Sequence, residues 1–146
     1  MKEPFYLAAQ EEYRKRLEKY ARVSILEVAD DPVPKGGKDR LLVKDRQGKR
    51  LLKRAPNFFR VAVDPRGKPF SSEELAAWFG EQMNTGRGDF TFFLGGTLGL
   101  PKSVLEKSGL ILSLSRLTFP HQLARVILVE QLYRSMRILH HEPYHY

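Results

Sequence analysis

The chain has 146 residues, 42% of them hydrophobic, with 25 Lys/Arg against 17 Asp/Glu and no cysteine. That length suits one domain with a core of its own, and the composition excludes a disordered tail, a disulfide scaffold and a thiolate metal site. No apolar run is long enough to span a bilayer, and the start, MKEPFYLAAQEEYRKR, has no apolar signal-peptide core, so a reducing, cytoplasmic setting is expected.

Residues 4–20 read as an amphipathic helix. Phe5, Ala9, Tyr13 and Leu17 recur at every fourth position, and Glu11 to Lys15 and Glu12 to Arg16 have the spacing of helical ion pairs. RVSILEV (22–28) is rich in β-formers and predicts a strand; ADDPVPKGGK predicts a loop. RLLVKDRQGKRLLKR (40–54) fits either a hairpin turning at DRQG or a basic helix weakened by Gly48, and its pattern alone leaves both open. FFRVAV (58–63) predicts a strand and DPRGKP a turn after it. Ser71 and Glu74 have capping-box spacing, so a helix is expected from about residue 72. FTFFL (90–94) reads as a strand buried on both faces. A short helix from Pro101, a strand over LILSLS and a long helix from Pro120 to about Leu139 complete the chain. Strands alternating with helices predict an α/β fold with a mainly parallel sheet in a single domain.

Four features carry functional information. Residues 35–60 contain ten Lys/Arg opposed only by Asp39 and Asp45, so the whole net charge of +8 resides there. Such an excess suits phosphate backbones, although a solvated face would look the same. FFLGGTLGL puts glycines just past the end of a buried strand, where ligands of open α/β sheets bind; a tight turn is the plainer reading. In the last helix, Val126 to Val129 form an unbroken apolar row covering the whole circumference. One side of it should pack on the sheet and the other, with Val129, on a second copy. Arg125, Glu130, Arg134 and Arg137 then lie beside an interface, paired or functional. Finally, the chain ends HHEPYHY, aromatic and imidazole groups in place of a frayed tail.

FFLGGTLGL, LSLSRLTFPHQLARVILVEQLYR and EPYHY, in this order and spacing, resemble the ribosomal RNA large-subunit methyltransferase H family, single-domain SPOUT enzymes that methylate N3 of pseudouridine-1915 in 23S ribosomal RNA. The resemblance runs over nearly the whole chain and is densest from Arg60 to His145. It implies a C-terminal trefoil knot, a homodimer, S-adenosylmethionine as methyl donor and ribosomal RNA within the ribosome as partner. It implies a helix across VKDRQGKRLL. The positions matching the family's cofactor residues are Val63, Gly95 and Gly96, then Leu114, Ser115, Arg116, Leu117, Thr118 and Phe119.

The chemistry implied accounts for the tail. The N3 imide proton must leave as nitrogen attacks the methyl group, so the protein must supply a proton acceptor, orientation and charge stabilisation. His145 is the candidate base, Tyr144 the candidate stacking group and Arg134 the candidate anion holder. Lys49, Arg50, Lys53, Arg54 and Arg125 are candidates for RNA contact. No metal is expected: Pro143 between His141 and His145 breaks the helix that would align them as ligands. Two departures stand out. Tyr146 occupies the place of the family's terminal Lys or Arg, and the chain opens at the first helix, so the family's usual first strand is expected to be missing. The alternative is a non-catalytic RNA- or ribosome-binding module on the same fold, or a dimeric scaffold whose tail only packs.

Overall fold

The computed structural model describes residues 3–27, 35–95 and 99–144. Five helices and four strands alternate among them: α1 (Pro4–Glu18), β1 (Arg22–Glu27), α2 (Gly37–Arg54), β2 (Phe59–Pro69), α3 (Ser72–Asn84), β3 (Asp89–Leu94), α4 (Lys102–Glu106), β4 (Leu110–Ser113) and α5 (His121–Leu139). The strands form one all-parallel sheet in the order β1-β3-β2-β4. None of the described helices is long and apolar enough to cross a membrane.

Strand alternation divides the core into two layers. Val61 of β2 and Phe90, Phe92 and Leu94 of β3 face α1, α3 and α5, where Leu17, Leu75, Phe79, Leu128, Leu132 and Met136 close over them. Ala62 and Phe93, one residue out of phase, face the other way onto Leu51 of α2 and Val104 of α4. β3 is therefore apolar on both faces because helices cover both. The aromatic cluster Phe59, Trp78, Phe79 and Phe90, with ring centroids 5.1–6.1 Å apart, fills the first layer.

The 40–54 segment is helical. Gly48, which looked like a weakness in it, is a contact point: a Cβ there would lie 2.2 Å from the Pro101 side chain and 3.1 Å from Val104. Only glycine lets α2 lie this close to α4. α3 carries the expected capping box, with Ser71 Oγ accepting from the Glu74 N–H at 3.1 Å and Glu74 Oε1 from the Ser71 N–H at 2.8 Å. In α1 the Glu12–Arg16 pair forms at 2.9 Å, but Glu11 pairs with Arg14 rather than Lys15. Phe5, at the head of the apolar stripe, is 63% exposed.

Two expectations are corrected. DPRGKP is no simple turn: β2 runs on to Pro69 and pairs with β4 on both sides of residues 64–67, Val63 and Lys68 both lying opposite Leu112. The four residues bulge out and the strand rejoins its partner in place. Val129 is 2% exposed within the single protomer, with Leu128 beside it fully buried, so it packs on its own core rather than on a second copy. Val126 and Ile127 are the half-exposed members of the apolar row.

Candidate active site

A cavity of about 430 Å³ opens at the bulge of β2 and the carboxyl ends of β3 and β4, the edge at which parallel sheets receive ligands. Its size suits a small molecule. β2 contributes Val63, Asp64 and Pro65; β3 and the loop after it contribute Leu94, Gly95 and Gly99. Leu114, Ser115, Leu117, Thr118 and Phe119 form the opposite wall, and Pro120, His121 and Ala124 at the start of α5 close it. Seven of the nine positions expected to hold a cofactor thus converge. Arg116 is exposed and does not line the cavity, and Gly96 lies outside the described residues.

The wall at 114–119 is shaped by short polar bonds. Ser113 Oγ donates to the Ser115 carbonyl at 3.2 Å, and Ser115 Oγ accepts from the Leu117 N–H at 2.9 Å. That turn leaves Leu117 72% exposed at the rim. Across the cavity, Asp64 is 4% exposed. Its Oδ1 accepts from the Arg66 N–H and Nε, both at 2.9 Å, and its Oδ2 from Arg66 Nη2 at 2.8 Å. The Arg66 guanidinium holds the carboxyl below its ordinary range. Asp64 and His121 were not singled out by sequence. The signal for Asp64 was present, an aspartate directly after a strand that reaches the ligand edge, but DPRGKP read as a turn.

The tail residues gather elsewhere. Tyr144 donates to Glu130 Oε1 at 3.1 Å, and the same oxygen accepts from Arg134 Nε at 3.0 Å and Nη2 at 2.7 Å. The Arg134 guanidinium lies 4.7 Å over the Tyr144 ring, which meets Tyr133 edge-on at 4.9 Å. Burial, with the hydrogen bonds that the phenol makes with Tyr13 and Glu130, raises the Tyr144 phenol above its ordinary pKa. The chain reaches this place by a Schellman turn: Glu142 N–H bonds the Arg137 carbonyl, His141 N–H that of Ile138, and His141 has φ 54°. Glu142 is then held by Arg137 and by Tyr20, whose hydroxyl donates to it at 2.8 Å. Tyr144 and Arg134 are therefore together, as the functional reading requires, but neither lines the cavity. His145 and Tyr146 lie outside the described residues.

The candidate RNA contacts Lys49, Arg50, Lys53 and Arg54 are exposed on the last turns of α2, while Arg125 is half-buried on α5. On α5, Leu123, Ile127, Glu130 and Arg134 are all half-exposed and fall on one face. That face joins the cavity end of the helix to the tail end.

A family profile described as "Predicted SPOUT methyltransferase" matches residues 1–145. Among curated proteins, the chain is similar to the ribosomal RNA large subunit methyltransferase H of Pelotomaculum thermopropionicum, 47% identical over all of this chain and 93% of that protein. It is 42% identical to the protein of that name from Desulforamulus reducens and 44% to that from Clostridium botulinum, each over 99% of this chain and at least 92% of theirs. A solved Legionella pneumophila structure in complex with bound SAM matches at 11% identity, with a TM-score of 0.47, over 90% of this chain and 61% of that one. The chain belongs to the SPOUT methyltransferase family, alongside the ribosomal RNA large subunit methyltransferases H.

Proposed function

We propose that this chain is an S-adenosylmethionine-dependent methyltransferase of large-subunit ribosomal RNA. Its target in this reading is N3 of pseudouridine-1915 of 23S ribosomal RNA in the assembled ribosome, and it works as a cytoplasmic homodimer with a C-terminal trefoil knot. The observation that carries the reading is the cavity at the β2 bulge and the carboxyl ends of β3 and β4, in a chain nearly half identical over its full length to methyltransferases of that name.

The residues present fit the donor. The cavity has apolar walls for a nucleoside, the hydroxyls of Ser115 and Thr118, and one buried carboxylate. When bound, S-adenosylmethionine supplies a methyl group on a sulfonium, open to in-line displacement. Val63, Gly95, Leu114, Ser115, Leu117, Thr118 and Phe119, which line the cavity, would hold it, with Gly96 next to Gly95 in sequence; Arg116, outside the cavity, is not part of this set. His145 would accept the N3 proton of the substrate base, and Tyr144 would pack on that base. Arg134, held by Glu130, steadies the imide charge. Lys49, Arg50, Lys53, Arg54 and Arg125 take phosphates.

Ten residues of helix separate Ala124 at the cavity from Arg134 at the tail, about 15 Å at 1.5 Å per residue. That separation supports a composite site in a two-fold dimer, the tail of one copy serving the cavity of the other across the Leu123 to Arg134 face.

Calorimetric titration with S-adenosylmethionine, followed by transfer of labelled methyl to ribosomes, tests the reading. His145→Ala should lower transfer about 10²–10⁴-fold with donor affinity nearly unchanged. Undiminished turnover would remove His145 from the mechanism. Ribosome binding without any donor binding would favour the non-catalytic module.

A further inference from the structure

The bulge in β2 places an acidic group at the wall of the cavity. Asp64 is the sole carboxylate among the described residues lining the cavity, and it is nearly inaccessible to water, at 4% exposed. Its cation partner lies on the other side: the Arg66 side chain is 67% exposed and does not line the cavity. Both carboxylate oxygens bond Arg66, but Asp64 lies at the cavity wall and Arg66 does not, so an occupant is nearer the carboxylate than the guanidinium. Charges in solvent are screened by water and salt, while those at a sheltered wall are screened less. To a molecule in the cavity the pair presents a net negative potential, though its formal charge is zero.

Methyl transfer changes the charge of the occupant. As the substrate N–C bond forms and the C–S bond breaks, the electron pair returns to sulfur, so the cationic sulfonium becomes a neutral thioether. We infer that Asp64 makes the cavity charge-selective, favouring the cationic donor over the neutral product and so promoting product release. This inference rests on the reading of the cavity as the donor site.

Asp64 also has a structural use. Its Oδ1 receives the N–H two residues on, at 2.9 Å, as in an Asx-turn, and thereby shapes the bulge. A purely structural aspartate would affect both occupants alike, so the ratio of their affinities separates the roles.

The experiment is calorimetric titration of the wild type, Asp64→Asn and Arg66→Gln with S-adenosylmethionine and with S-adenosylhomocysteine. Asparagine keeps the size and the acceptor for the Arg66 N–H. The donor-to-product affinity ratio should fall roughly tenfold in Asp64→Asn, the order expected of one charge interaction at a partly sheltered site, with product affinity changed much less. Arg66→Gln, which leaves the carboxylate in place and removes the cation that offsets it, should raise the ratio. Parallel losses for both ligands in Asp64→Asn would overturn the inference, as would a ratio that does not rise in Arg66→Gln. The second variant decides the matter if the first does not fold. A wild type that binds neither ligand would instead overturn the donor-site reading itself, and the inference with it.

Discussion

Gly67 shows how little room surrounds the β2 bulge. A Cβ on it would lie 2.6 Å from the Ile111 carbonyl oxygen and 2.7 Å from its carbonyl carbon. Both are backbone atoms of β4, which cannot swing aside as a flexible side chain would. Gly67→Ala should therefore destabilise the fold by about 1–3 kcal/mol, read as a lower midpoint in urea at unchanged m-value. Unchanged stability would mean that the bulge shifts freely and does not hold Asp64 in place. At the same scale, the three bonds from Arg134 and Tyr144 to a single oxygen of Glu130 show how a tail that looks like a loose end is fixed. So does the clasp of Arg137 and Tyr20 on Glu142, where the hydrogen bond from Tyr20 and then the nearby Arg137 charge lower the carboxyl pKa.

Among the elements, α2 has two unlike faces. Gly48 lies against α4 and Leu51 against the sheet and α4, with Gln47 also buried, while Lys49, Arg50, Lys53 and Arg54 are exposed. A helix docked by its apolar side and basic on the other suits a phosphate backbone, because each neutralised phosphate releases counterions. Reversing Lys49, Arg50 and Lys53 to glutamate leaves the docked face intact. It should weaken ribosome association and reduce its log–log salt slope by roughly two, the share of three phosphate contacts. Equal binding and an equal slope would make this face a solvated one. α5 is likewise two-faced, and its half-exposed stripe is a candidate contact between copies.

For the whole molecule, the separation of cavity and tail on α5 makes assembly testable. Ile127→Asp places a charge on the half-exposed stripe without entering the core and should yield folded monomers by sedimentation velocity, with methyl transfer lost in proportion. A dimer of undiminished stability would exclude this face as the contact. Val129→Asp would not be a fair test, since Val129 is buried within its own protomer and the charge would unfold it.

The order of helices and strands, the parallel class of the sheet, the capping box of α3 and the doubly buried β3 were legible in the residues, because periodicity, turn chemistry and caps are local. So were most of the cavity walls, through the family resemblance and through glycines at a strand end. The 40–54 segment was not settled by pattern, because Gly48 weakens an isolated helix and is justified only by the close approach of Pro101 on α4. The continuation of β2 past Asp64, which makes that residue a cavity wall, depended on rejoining β4 at Leu112, a pairing between distant parts of the chain. Which of four successive apolar residues on α5 face inward was likewise undecided until the helix lay on the sheet, since those four point all round the helix. Local physics determined which elements form and what chemistry they carry; the packing of elements far apart in sequence decided which of those groups share one site.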